Sequence, residues 1–240
     1  LTAETGIGAS GTDNDIDTTI GTLVATNNTS GDIYVQETNG LTIGGTGVRT
    51  LAGSGSINID VDAGNLTVDA VVTAHGSGGV ALNADGGTVD LNAVVSSTTG
   101  NVAVTGDVIT QDANITTGGS GTVTVTADNG GITMSTGTTT TSGTGTISYS
   151  GTASVALSVL TSTSGDINVT AGSGASVVGA ITDILSTESA NIVTSGTATL
   201  TAETGIGASG TDNDIDTTIG TLVATNNTSG DIYVQETNGL

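Results

Sequence analysis

The 240-residue chain contains no Cys, Pro, Trp or Phe, 39 Gly and three Tyr, and 23 acidic residues against a single Arg give it a formal charge of −22. This excludes a disulfide framework and thiolate metal sites, and it disfavours nucleic acid and anionic lipid, whose phosphates require Lys and Arg. No run approaches the ~18 apolar residues of a membrane span, and no signal-peptide pattern opens the chain.

The opening segment returns without a substitution: Leu1–Leu41 and Leu200–Leu240 are identical, which gives the chain a 199-residue period. Each copy holds the stretch "GASGTDNDIDTT" and, after it, "GDIYV" at Gly31 or Gly230. Between the copies the pattern of Gly31 recurs as "GSINI" at Gly55, "GGVAL" at Gly78, "GNVAV" at Gly100, "GTVTV" at Gly121, "GTISY" at Gly145, "GDINV" at Gly165 and "GTATL" at Gly196. The steps are 20–24 residues, apart from two longer ones of 31 and 34 near the end. A second short apolar run follows within most units, as in "GLTI" at Gly40, "NLTV" at Asn65, "GTVDL" at Gly87, "GDVIT" at Gly106 and "GITM" at Gly131.

Gly, Ser and Thr in this abundance raise the question of disorder, but regular alternation of Val, Ile and Leu with small polar residues argues for strands. Units of this length, each unable to bury its own apolar side chains, predict an all-β fold: a parallel β-helix, or β-solenoid, of about 20–24 residues per coil with two longer coils. Ile33, Ile57, Val80, Val102, Val123, Ile147 and Ile167 are expected to stack in one column. Val35, Ile59, Leu82, Val104, Val125, Tyr149 and Val169 are expected in the next. The two long steps predict excursions, with "GASGTDNDIDTT" in one of them. A β-sandwich, the rival fold, predicts no such equivalence between units. Residues 1–240 read as one continuous segment, a window on a longer repetitive chain whose pattern resumes after Leu240 as at Thr42.

Units such as "SGDIYVQETNGLTIGG", "TLTAETGIGASG" and "GSINIDVDAGNLTV" resemble filamentous-haemagglutinin-type repeat proteins. The resemblance covers most of the chain and lies in the grammar of the units. It implies a right-handed parallel β-helix within a giant secreted protein of the bacterial cell surface, an adhesin or a filament. It implies no ligand-binding residue here, and the family's secretion-and-nucleation domain has no counterpart in the sequence.

Residues 1–199 hold 17 acidic residues and one Arg. Over eight coils at ~4.8 Å, about 38 Å, that is one net charge per ~2.4 Å, approaching the ~1.7 Å of duplex DNA. Cations are therefore expected around the shaft. The densest acidic cluster, "DNDID", offers Asp13, Asp15 and Asp17, and in the second copy Asp212, Asp214 and Asp216, as oxygen ligands for Ca²⁺. The spacing opens like an EF-hand loop, but Thr18 stands in place of the turn glycine and Val24 in place of the bidentate Glu. A solvated acidic loop is the competing account.

An enzyme is not expected. Carboxylates abound for glycoside hydrolysis, yet there is no Lys, no Trp or Phe to stack on a sugar, and only Arg49 and His75 as other polar helpers. His75 reads as a surface turn residue, and Arg49 as solvated or paired with a carboxylate. Tyr34 and Tyr233 point outward, available for contacts between fibres. The sequence therefore predicts a structural or adhesive extracellular rod. Its partners are other copies of itself, by fibre continuation or lateral bundling at ~38 Å intervals or multiples of it, or cell-surface glycans. A carbohydrate-binding or carbohydrate-cleaving β-helix and an ice-binding solenoid are the alternatives. The positions that alternate outward after each glycine form no regular Thr-x-Thr row, though another face could carry one.

Overall fold

A computed structural model describes residues 1–11, 13–174, 178–210 and 212–239. Thr12 and Thr211 of the repeated acidic stretch, and Leu240, lie outside the described residues. The described chain is all-β. It winds through about ten turns of a β-solenoid, and its 23 strands pair only in parallel, each with the strands one coil below and one coil above.

Each turn has three faces. The long face carries the run after the recurring glycine. Ile33, Ile57, Val80, Val102, Val123, Ile147 and Ile167 stack there in register, and Ala198 and Leu222 continue the column. Val35, Ile59, Leu82, Val104, Val125, Tyr149 and Val169 form the column beside it. The second face stacks Leu41, Leu66, Val89, Ile109, Ile132, Val155 and Ile181. The third stacks Val48, Val72, Val95, Ile115, Thr140, Leu160 and Ile192. These inward side chains are almost all fully buried, and alternation along each face sends the intervening residues to the surface, broken where a long strand turns a corner, as at Asp85 and Gly86.

The rungs are held by backbone bonds. At the start of the long face the N–H groups of Ile33, Ile57, Val80 and Val102 donate to the rung above at 2.8 Å. Outward Asp and Asn side chains add further ties: Asp32 Oδ1 accepts from Ser56 N–H at 2.7 Å, Asn65 Oδ1 from Thr88 N–H at 3.0 Å and Asn101 Oδ1 from Thr122 N–H at 3.0 Å.

The recurring glycine answers to stacking rather than to a left-handed backbone. Gly55, Gly78, Gly100, Gly121, Gly145 and Gly165 all have ordinary φ, but a Cβ on any of them would lie 1.8–2.5 Å from the carbonyl oxygen of the glycine one rung below. Buried hydroxyls satisfy these corner carbonyls. Ser97 donates to Gly78 at 2.6 Å, Ser142 to Gly145 at 2.6 Å and Thr194 to Gly165 at 2.7 Å.

A buried polar cluster interrupts the aliphatic interior midway along the shaft. Gln111, Thr140 and Tyr149, from three different faces, meet in the centre of the shaft. Tyr149 O–H donates to Gln111 Oε1 at 2.6 Å, and the Tyr149 and Thr140 hydroxyls are 2.6 Å apart. Burial drives the Tyr149 phenol well above its ordinary pKa, against the pull of its Thr140 and Gln111 bonds.

The two copies of the repeated segment make the same internal pairings. Thr2 pairs with Thr26 and Thr201 with Thr225; Ile7 with Ile33 and Ile206 with Ile232; Ile16–Thr18 with Val35–Glu37 and Ile215–Thr217 with Val234–Glu236. They do not occupy the same faces. Ile33 stands on the long face, whereas its copy Ile232 stands on the second, above Ile206 and Ile181. Ala25 pairs with Val48 on the third face, whereas Ala224 pairs with Leu200 on the long one. Counting rungs from Ile33 to Leu222 gives eight turns, and Ile232 lies one face further on. The 199-residue period is thus eight turns and one face, about 40 Å, rather than eight whole turns. The 34-residue step from Gly196 to Gly230 therefore spans more than one turn, with Leu222 rather than Ile232 above Ala198. Ile206 and Ile215 already occupy the second face and Thr217–Ile219 the third, so Leu222 arrives first above Ala198.

Candidate functional site

The acidic stretch is an excursion. Ile7 and Ile16 both sit beneath the strand of Ile33–Glu37, and residues 8–11 and 13–15 leave the shaft between them. The excursion closes on itself: Ala9 N–H donates to Asn14 O at 2.8 Å, and Asn14 N–H to Gly11 O at 3.1 Å. Gly8 lies at φ +66°, and a Cβ there would strike the Tyr34 carbonyl. The second copy repeats this form, with Ala208 N–H donating to Asn213 O at 2.8 Å.

The predicted site residues divide by copy. In the first, Asp13 and Asp17 are exposed and Asp15 is half-buried, with one buried, unpartnered carboxylate oxygen. In the second, Asp212 is exposed and Asp214 half-buried, but Asp216 is 1% exposed, and neither of its carboxylate oxygens has a hydrogen-bond partner among the described residues. The difference comes from the coil beneath. Thr217 and Thr218 stack on Ile192 and Val193, so Asp216 closes over a second excursion, residues 184–190. Asn191 joins the two layers: its N–H donates to Asp216 O at 2.8 Å, its Oδ1 accepts from Asp216 N–H at 2.9 Å, and its Nδ2 donates to Asp183 Oδ1 at 2.6 Å.

Burial, then the charges of Asp214, Glu188, Asp183 and Asp212, push the Asp216 carboxyl up to about 6. Asp183 is also raised, by burial first, against hydrogen bonds from Leu185 N–H and Asn191. Among the described residues, no three His, Asp or Glu side chains stand close enough together to form a ready metal shell, in either copy. The spacing of "DNDID" therefore does not by itself bring Asp13, Asp15 and Asp17, or Asp212, Asp214 and Asp216, around one ion. Asp183, Glu188 and Asn191 have no counterpart in the repeated motif. Their only trace in the sequence is that Asp183 and Glu188 both fall within the 31-residue step.

Several other carboxylates are held by neutral donors. Glu4 is lowered by hydrogen bonds from Thr29 and Asn28, and its copy Glu203 by the same bonds from Thr228 and Asn227. Asp60, raised by burial, accepts from Asn83 Nδ2 at 2.8 Å. Glu37 is fully buried. Burial pushes it up, but Thr18 O–H at 2.6 Å and the backbone N–H groups of Ile20, Asn39 and Thr38 more than offset this, and the net shift is downward.

His75 is exposed beside a turn, with Nδ1 2.7 Å from Gly53 O. Arg49 lies in an outward row of the third face, and its Nε is buried without a hydrogen-bond partner. Tyr34 is half-buried beside Ser10, Asp15, Asn58 and Asp60 in a shallow groove, and Tyr233 is exposed. The second face does carry a threonine row (Thr22, Thr42, Thr67, Thr110, Thr133 and Thr182). It is one residue wide and is broken by Asp90 and Ala156.

No family model, curated protein or solved structure matches this chain.

Proposed function

We propose that the chain is a length of structural or adhesive extracellular rod, part of a giant secreted surface or filament-forming protein of the filamentous-haemagglutinin type. The observation that supports this most directly is the continuity of the columns: one aliphatic stack runs from Ile33 to Ala198 without a missing rung. Such a shaft transmits length and stiffness, since each coil depends only on its neighbours.

The acidic surface keeps shafts apart or lets cations draw them together, and repetition adds weak contacts with glycans or with other shafts through multivalency. Advance by one face per period sets how those contacts repeat. In a tandem array of this unit, a given side of the rod meets the same segment again only after three periods, 25 rungs or about 120 Å. Lateral contacts at every ~38 Å along one side do not fit that geometry.

Imaging of the native assembly tests the reading. Straight rods with a ~4.8 Å axial repeat, bundled or attached to a surface with contacts about 120 Å apart, are expected. Isolated compact particles that turn over a glycan would sink it.

A further inference from the structure

The second acidic loop closes over carboxylates that no described residue neutralises. Four carboxylate oxygens there are buried and have no hydrogen-bond partner among the described residues: both of Asp216, Oδ1 of Asp214 and Oδ2 of Asp183. The nearby charges acting on Asp216 are all negative, those of Asp214, Glu188, Asp183 and Asp212. There is no Lys. The single Arg, Arg49, stands in the same outward row as Thr218 but seven rungs below it, about 34 Å away. Buried carboxylates in such surroundings need a proton or a cation.

We propose that Asp183, Asp214 and Asp216 bind one divalent, oxygen-preferring cation such as Ca²⁺, with Glu188 closing the site from the solvent side. The donor set consists entirely of hard oxygens, the type that Ca²⁺ takes in mono- or bidentate fashion. Asn191 already holds two of the ligands in place, through Asp183 Oδ1 and the backbone of Asp216. As the side chains stand, no three converge on one point. Binding therefore draws in Asp214, which is half-buried, and Glu188, which is exposed and held by Gln235 Nε2 at 2.8 Å. The site belongs to one copy only. The equivalent residue in the first copy, Asp17, is exposed, and that loop does not rest on the coil of Asp183 and Asn191. The cation would pin the excursion at 184–190 to the coil above it. The inference is independent of the rod reading.

Calorimetric titration of the chelator-treated chain with CaCl₂, together with thermal melts, tests the proposal. The expected result is one saturable site per chain, lost in Asp216→Asn and Asp183→Asn and retained in Asp17→Asn. At a hundredfold excess over the dissociation constant, Ca²⁺ should raise the melting temperature by about 5–10 °C. In chelator, Asp216→Asn should melt above the unsubstituted chain, because it removes a buried charge; a merely structural aspartate would give the opposite sign. Absence of saturable binding overturns the proposal, as does saturable binding that Asp216→Asn leaves intact.

Discussion

Replacing Gly145 by Ala tests the stacking argument at one of its tightest points. The new Cβ would lie 1.9 Å from Gly121 O, 2.5 Å from Gly121 C and 2.8 Å from Ser120 O, all backbone atoms, where side-chain carbons essentially never come within 3.0 Å of a neighbour. The two rungs must separate by about 1 Å at this corner, a fifth of their ~4.8 Å spacing. Val123 N–H, which donates to Thr146 O at 3.0 Å, cannot keep that bond, and the bond from Ser142 to Gly145 O at 2.6 Å is strained. Two bonds at ~0.5–1.5 kcal/mol each, with ~1–3 kcal/mol of overpacking, give a loss of about 3 kcal/mol. Two controls separate space from backbone conformation. A Cβ at Gly86 meets nothing within 4 Å but sits at φ +69°, so Gly86→Ala should lose about 1–2 kcal/mol. Gly21 has open space and no positive φ, so Gly21→Ala should be neutral or gain up to about 1 kcal/mol. Urea unfolding followed by circular dichroism ranks the three. If Gly145→Ala unfolds with the same midpoint as Gly21→Ala, the glycines are not there for rung contact and the explanation of the repeat fails.

Tyr149→Phe leaves Gln111 Oε1 without its buried 2.6 Å donor and should cost about 1–3 kcal/mol. Combining it with Gln111→Leu should cost less than the sum of the two single changes, and a double-mutant cycle by urea unfolding checks this. Glu37 has a folded pKa below its ordinary value, so its ionised form adds stability above about pH 4.5, which is lost as pH falls through the lower folded pKa. Glu37→Gln should therefore be less stable than the unsubstituted chain at pH 7, with the gap closing toward pH 3; a gap that stays constant with pH refutes the assignment. The face assignment of the second copy can be read by cysteine pairing in this cysteine-free chain. Thr170→Cys with Thr201→Cys should oxidise to a disulfide, because these residues are partners on the long face, whereas Thr161→Cys with Thr201→Cys should not. The reverse pattern would place the copy on the third face, where its counterpart Thr2 lies.

Alternation and the spacing of glycines made the fold legible. In "GSINI" and "GNVAV" the period of two says which side chains enter, and a near-constant unit length says which of them meet, so both long-face columns were readable from the residues alone. The third face was not. Its strands mix Thr, Ser and Ala with Val, as in Thr139–Ser142, and inward hydroxyls such as Ser97 and Thr117 look like surface residues until their bonds to corner carbonyls are seen. Tyr149 looked like one more apolar rung, because its two polar partners come from other faces. The acidic loop was legible as an excursion but not as a site. What buries Asp216 is Asn191 and the coil of Asp183, which lie a full coil or more earlier in the chain, and no local motif ties them to "DNDID".

The advance by one face also bears on why Leu1–Leu41 and Leu200–Leu240 are identical. Two origins would serve: a recent duplication, or a partner that needs the same surface once in every period. Each copy keeps its own bonds, Glu4 to Asn28 and Thr29 in one and Glu203 to Asn227 and Thr228 in the other, so these internal bonds form in both settings. The copies nevertheless face different ways and rest on different neighbours. A partner lying along one side of the shaft meets Tyr34 from one copy and not Tyr233 from the next. Such a partner cannot select for identity at every period, and uniform stacking does not demand it either, because units as different as "GGVAL" and "GTISY" stack equally well. Strict identity of the two segments is therefore better explained by duplication too recent for substitutions to have accumulated than by constraint from a shared interface.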